Sequence, residues 1–400
     1  MLLLGRGFVD PTGLSAQVER SERKSESNKG GKVRYTRQKK TTETMDTMDT
    51  SLSGGRLLDQ GLYGCVFTPA LACKKGTEQT VGDEAGAERM LSKLLPLGDA
   101  EQEFQIAKRV ARIPFYRQYF VVSDTLCEPA AVQPTEKEFS QCRMREKAEE
   151  ENLRLLRMRY AGKALHLVSL NLKTFDVRAF GVHLIAAGAL MNLFGVVHRD
   201  LHQGNVLVDT YHVPRIIDFN LSISVRASTK VTVSDLSHTY DVSITQEPPD
   251  STLVNAIAHG KNPMTVIQEI CFTKPVMHKV TTMLGISKRD MYQSLVTFYK
   301  KSKSMRSGDM ERWFSLYYRV IDSWAIGVML VELIAKLSLW PAMGFKIQRV
   351  LEEWKPMLRR MCAVNPLERI DCVQALQQVD PGHIVIRRYG AKWLDIVGKV

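Results

Sequence analysis

The run His198-Arg199-Asp200-Leu201-His202-Gln203-Gly204-Asn205 constrains this chain more than any other stretch. Ahead of it lies an apolar segment, Phe180 to Val197, broken only by His183 and Asn192; behind it comes the apolar strand Val206-Leu207-Val208. A second apolar strand, Arg215-Ile216-Ile217, ends in Asp218-Phe219-Asn220. A buried helix, a tight polar loop and two short strands joined by a turn bring three oxygen-bearing side chains to one place. Phosphoryl transfer needs such a set: a carboxylate to orient the attacking hydroxyl and take its proton, and oxygen ligands for the metal that bridges the phosphates. Asp200 suits the first role, and Asn205 and Asp218 suit the second.

Phe180 to Val197 approaches the roughly 20 residues of a membrane span. It runs directly into the polar loop, however, and contains Gly181, Gly188 and Gly195. The expectation is a core helix, and the same holds for Val320 to Leu339, which carries Glu332 and Lys336. No membrane span is expected.

At 44% hydrophobic residues over 400 positions the chain can bury a large core. A net charge of +12 admits nucleotide, acidic protein, nucleic acid or anionic membrane as partners without choosing among them. The seven cysteines show neither a C-x-x-C nor zinc-ligand spacing. This predicts an intracellular, reducing compartment, with the cysteines as small core residues. Residues 1–54 are polar, aperiodic and read as a disordered tail. Within that tail, Lys29 to Lys40 is a candidate polyanion or import-factor contact, or simply a solvated basic stretch.

Residues 55–158 read as a small β-rich lobe. Cys65-Val66-Phe67, Met90 to Lys93 and Tyr119 to Val122 are the strand candidates, and Asp99 to Ile113 a helix with Asp99 as N-cap. Residues 159–380 read as a larger helical lobe with a long insert at about 251–315, followed by a 381–400 tail. In Asp59-Gln60-Gly61-Leu62-Tyr63-Gly64-Cys65-Val66-Phe67, the glycines at 61 and 64 let backbone N–H groups approach phosphate oxygens. Tyr63 would act as a lid, and Val66 would pack on the base. Lys93 is the candidate phosphate-binding lysine, paired with Glu103 on the following helix; Lys74 and Lys75 follow the loop too closely.

The catalytic run and the Asp218-Phe219 segment resemble the H-R-D-x-x-x-x-N and D-F-G motifs of the protein-kinase superfamily. Asp322-Ser323-Trp324-Ala325-Ile326-Gly327 resembles the D-x-W-x-x-G of its large lobe, whose acid anchors the catalytic loop. Asn365-Pro366-Leu367-Glu368-Arg369 resembles its N-P-x-x-R, with Asp250 as the partner implied for Arg369. Gly61 to Cys73 is similar to the G-x-Y-G-C-V-F-x-P-x-L-x-C opening of Ser/Thr protein kinases of large DNA viruses, iridoviruses included. The resemblance covers about residues 56–375.

It implies an α+β, bilobal protein-kinase-like fold holding ATP and Mg²⁺ between the lobes, and transfer to protein Ser or Thr hydroxyls. It further implies a hinge at Arg157 to Gly162, with Met158, Tyr160 and Leu207 around the adenine. For a viral protein the compartment would be host cytoplasm, nucleus or virion.

Three positions depart from the family pattern. Asp59 stands in place of the loop's first glycine and Asn220 in place of the D-F-G glycine, while His202 replaces a lysine. Asn220 tolerates left-handed backbone better than other non-glycine residues, so metal binding by Asp218 is not threatened. D-L-H-x-G-N is also similar to small-molecule kinases of the aminoglycoside and choline type, and the departures together admit a pseudokinase scaffold. The Ser/Thr-rich segment between Asn220 and Pro248 stands where an activation segment would, with Arg199 a candidate partner for a phosphate there; the alternative is an exposed polar loop that is never phosphorylated.

Overall fold

Leu-rich strands between residues 56 and 159 form a six-stranded antiparallel sheet, ordered β1-β2-β4-β6-β5-β3. The strands are β1 Arg56–Gln60, β2 Cys65–Thr68, β3 Gln79–Thr80, β4 Met90–Pro96, β5 Thr125–Cys127 and β6 Leu153–Arg159. The computed structural model describes residues 55–60, 64–80, 90–133, 136–143, 152–225 and 230–398. Gly61, Tyr63 and the Lys29 to Lys40 run lie outside them.

Because neighbouring residues of a strand point to opposite faces, the sheet has two apolar sides. Leu94 and Leu155 face a small cluster with Phe67, Leu71 and Phe139, while Leu95 and Leu156 join the main core beneath α1 Leu97–Val110. The helix starts directly after Pro96, so Asp99 sits in its first turn rather than at its cap. Tyr119 to Val122 is not a strand. Phe115 adopts a left-handed backbone (φ 61°) that starts a helical turn, α2 Tyr116–Tyr119, and only Phe120 bridges to Ile216. Of the charged segment after Ala131, Glu136–Phe139 forms a short helix, α3.

Four of the seven cysteines are paired, Cys65 with Cys142 and Cys73 with Cys127. Both bridges lie in the sheet part. They do not fit well with the expectation of a reducing compartment, because such bonds form and persist under oxidising conditions. Cys271, Cys362 and Cys372 are free and buried, as small core residues would be.

The remainder of the chain is helical around a single core. Short strands β7 Lys163–Ala164, β9 Val206–Val208 and β10 Pro214–Ile216 make a three-stranded sheet, and β8 Val196–Val197 pairs with β11 Ile223–Ser224. The apolar stretch forms α4 Val177–Phe194, capped by the Asp176 carboxylate and stopped by Gly195 in the left-handed region (φ 72°). It is long and apolar enough to cross a membrane, yet 72% of its 18-residue window is buried within the fold. A Cβ at Gly181 would lie 2.4 Å from the Trp354 ring, so glycine lets the helices pack closely here.

Further helices follow: α5 Val233–Leu236, α6 Pro249–Ala258, α7 Pro263–Thr273, α8 Pro275–Leu284, α9 Lys288–Lys301, α10 Lys303–Ser307, α11 Met310–Tyr317, α12 Ile321–Ser338, α13 Gly344–Met361, α14 Cys372–Val379 and α15 Ala391–Val397. The second apolar stretch is α12, buried along most of its length. The C-terminal stretch is packed rather than loose: Leu394 is buried and Trp393 donates to Asp371 at 2.9 Å. The chain is thus mixed α+β, a small antiparallel sheet followed by a larger helical part.

Candidate active site

The hairpin register explains how the three oxygen-bearing side chains meet. Val206 pairs with Ile216, and the ladder continues one step as Ile217 N–H donates to the Asn205 carbonyl at 3.0 Å. Asp218 therefore emerges beside the end of the polar loop. Asp322, at the start of α12, holds that loop from below. Its carboxylate accepts from the backbone N–H of His198 at 2.7 Å and of Arg199 at 2.9 Å. Burial pushes this acid up to about 6, against the two hydrogen bonds that favour its charge.

Arg199 and Asp218 both carry left-handed backbone, at φ 70° and 63°. Such positions cost on the order of 1–3 kcal/mol and persist where surrounding contacts over-determine them. Asn220 does not share this conformation, so the left-handed residue of its segment is the aspartate itself. The His198 ring donates from Nε2 to the Ile217 carbonyl at 2.9 Å, packs on Phe219 and receives the Asp200 N–H at Nδ1. Burial pushes this imidazole down to about 4, so it is neutral and structural near pH 7.

Lys93, on β4, crosses from the sheet to the hairpin. Its Nζ lies 2.8 Å from Glu103 Oε2 and 2.8 Å from Asp218 Oδ1. Glu103 belongs to the buried stripe of α1, where a carboxylate needs a cation. Burial lowers the tendency of Lys93 to hold its proton, but the Asp218 and Glu103 charges outweigh it and its pKa is raised. The same contact holds Asp218 below the ordinary carboxylate range, despite its own burial.

Asp200 sits on the other side of the loop. Its Oδ2 is 3.4 Å from Asn205 Nδ2 and 3.8 Å from His202 Nε2, and its Oδ1 accepts from Gln246 Nε2 at 2.8 Å. Gly204 N–H donates to His202 Nδ1, so a neutral ring carries its proton on Nε2, toward Asp200. Burial raises the pKa of Asp200, and the charge of Asp218 adds to that effect. Asn205 Nδ2 also donates to the Asp200 carbonyl at 2.9 Å, which leaves the amide oxygen as the atom suited to a cation.

Gln246 belongs to a tightly held segment. Lys274, between α7 and α8, is 1% exposed and donates to the carbonyls of Ile244 at 2.6 Å and Val242 at 3.3 Å. Trp324 Nε1 takes the Thr245 carbonyl at 3.0 Å. Glu247 pairs with His238 at 3.0 Å and accepts from Ser251 and Thr252. Burial would raise this acid, but His238 and Lys274 bring it down to about 2. Burial also pushes the Lys274 ammonium down to about 8, against the charges of Glu247 and Asp241. The Arg199 guanidinium donates to the carbonyls of Asp235 and Leu236. Asp250 meets Arg369 at 2.7 Å and Trp313 at 3.0 Å in the core.

Other sequence candidates fall in different places. Val66 lies opposite Lys93 in the sheet register, Met158 opposite Leu91, and Leu207 is half-buried in β9. A Cβ on Gly64 would lie 2.6 Å from the Leu94 carbonyl, so packing of β2 on β4 already requires this glycine. Lys74 is an exposed residue paired with Glu128. Tyr160 lines a cavity of about 760 Å³ with Arg117, Arg159, Lys163, Asp209 and Arg215, a lining that includes none of Lys93, Asp200 and Asp218.

Gln246, Lys274 and His238 were not found from the sequence, where none belongs to a local motif. Among the described residues, no group of three or more His, Cys, Asp or Glu is placed to hold a metal by itself. The chain matches no family model, and no curated protein gives a significant match to it.

Proposed function

We propose that this chain is an ATP- and Mg²⁺-dependent Ser/Thr protein kinase with a bilobal protein-kinase-like fold, the sheet part and the helical part forming its lobes. The observation that carries the reading is the meeting of Lys93, Glu103, Asp218, Asn205 and Asp200 from three separate stretches of chain. Motif spacing alone does not require Lys93 and Glu103 to meet the other three. The resemblance of the motifs to viral kinases supports the same reading, and the two disulfides favour an oxidising setting for the mature protein.

Asp218 and Asn205 supply one carboxylate and one amide oxygen, a donor set that fits Mg²⁺, which takes its remaining ligands from phosphates and water. The ion, when bound, neutralises charge on the β- and γ-phosphates. Lys93, aligned by Glu103, turns its ammonium toward the α- and β-phosphates. Asp200 orients the acceptor hydroxyl and takes its proton. His202, presenting an N–H beside Asp200, can donate to a γ-phosphate oxygen.

Incubation with labelled ATP and Mg²⁺, followed by mapping of modified residues, tests the proposal. Label on Ser or Thr of a protein supports it. His202 favours a second reading, a small-molecule kinase, for which a metabolite panel would take the label and no protein would. If Mg²⁺·ATP gives no thermal stabilisation, the scaffold reading replaces both.

A further inference from the structure

The inserted helices reach the candidate catalytic carboxylate along a continuous chain of contacts. Lys274 holds the carbonyls of Val242 and Ile244, and Glu269 of α7 accepts from the Tyr240 hydroxyl at 2.6 Å. With Thr245 held by Trp324 and Glu247 by His238, residues 240–247 are fixed at successive points. Gln246 is the residue of that stretch whose side chain reaches Asp200. A second line runs from Lys279 of α8 to Glu332 at 2.8 Å, and from Glu332 to Gln203 in the catalytic loop at 3.2 Å.

Burying an ammonium as completely as that of Lys274 costs several kcal/mol unless acceptors and an opposite charge surround it. Two backbone carbonyls and the nearby Glu247 charge provide that surrounding. Arg199, the cation that could have met a phosphate, instead holds the carbonyls of Asp235 and Leu236.

Building on the kinase reading, we propose that Lys274 and Gln246 are positioning residues through which the insert, rather than a phosphate on the 220–248 segment, holds Asp200 ready for the acceptor hydroxyl. Gln246 binds Oδ1, which leaves Oδ2, on the side of Asn205 and His202, for the incoming O–H. The contact resists rotation of the carboxylate.

The test uses the full chain, freed of phosphate by phosphatase treatment and verified by intact mass, with labelled ATP, Mg²⁺ and a generic protein substrate. The wild type is expected to transfer label without any phosphate on the segment. Gln246→Ala is expected to lower kcat about tenfold or more, the usual weight of a hydrogen bond to a charged group. Its KM for ATP should stay within about twofold; a purely structural lesion would not separate kcat from KM in this way. Lys274→Met should reproduce the pattern. Should Lys274→Met fail to fold, the half-buried Gln246→Ala decides alone.

Activity that disappears on dephosphorylation and returns on rephosphorylation overturns the inference, as does wild-type kcat in Gln246→Ala. Either result leaves the kinase reading standing. Absence of both transfer and Mg²⁺·ATP stabilisation in the wild type removes the two together.

Discussion

Lys93 Nζ lies 2.8 Å from Asp218 Oδ1, joining the central strand of the sheet to the hairpin of the helical part. Glu103 is at the same distance on the other side of the ammonium, so one cation neutralises a buried carboxylate, Glu103, and a half-buried one, Asp218. Lys93→Met leaves both acids without a counter-charge. Breaking a buried pair in this way costs about 3–5 kcal/mol, to be read from the urea midpoint at pH 7. On the kinase reading the same variant loses Mg²⁺·ATP stabilisation in a thermal-shift titration. A variant with wild-type midpoint and wild-type ATP response would show that the contact carries neither load.

Asp200 sets the expected pH dependence of transfer. Its proton must be off before it can accept one, and burial followed by the Asp218 charge raises its pKa in the folded protein. Activity should therefore climb with pH through a value above the ordinary 3.8 of an aspartate, with the acid limb reporting this group. The neutral, buried His198 titrates near 4 and contributes no limb close to neutrality. Asp200→Asn should cut kcat by about 10²–10⁴-fold while ATP still stabilises the fold. Undiminished transfer by that variant would sink the assignment.

What could be read in the sequence follows from how locally each feature is encoded. Asp200, Asn205 and Asp218 sit in two short motifs joined by a hairpin, so local pairing alone brings them together. Glu103 was legible as an acid inside an apolar helical stripe, a position that demands a partner. Gln246 has no comparable signal, because its reach to Asp200 depends on carbonyls held by Lys274 and Trp324 from distant helices. The cysteine pairing was hidden for the same reason. Cys65 finds Cys142, and Cys73 finds Cys127, only once β2, α3 and β5 have been placed. The left-handed backbone of the Asp218 segment had no local signal, because Asn220 is the residue type that tolerates positive φ, whereas the surrounding contacts impose it on Asp218.

Asp250 and Arg369 are both fully buried and meet at 2.7 Å, with Trp313 on the second carboxylate oxygen. Arg369 also holds the carbonyls of Ala363 and Val364, so it ties α6 to the loop before α14. Arg369→Met strands a buried carboxylate and should cost about 3–5 kcal/mol. The double change Asp250→Leu with Arg369→Met removes both charges and should recover part of that loss. A double variant no more stable than Arg369→Met would mean that the remaining hydrogen bonds, not the charge pair, dominate.

The disulfides give the last expectation. The Cys65–Cys142 bridge joins residues 77 apart in the chain, and Cys73–Cys127 joins residues 54 apart, so each restrains a long loop of the unfolded chain. Cross-links over loops of this length are worth on the order of 2–4 kcal/mol apiece. Both lie in the sheet part, and Cys65 directly follows Gly64, so reduction should loosen the strand nearest the candidate phosphate loop first. Denaturation with and without dithiothreitol should show a lower midpoint for the reduced form, with Cys142→Ser reproducing part of the drop. Amide exchange should place the loss in β1, β2 and α3, and leave α4 and α12 protected. Thiol titration of the unfolded, unreduced protein should count three free cysteines, because Cys271, Cys362 and Cys372 are the unpaired ones. A count of seven from protein purified under air, with an unchanged midpoint on reduction, would overturn the pairing and restore a reducing compartment as the natural setting.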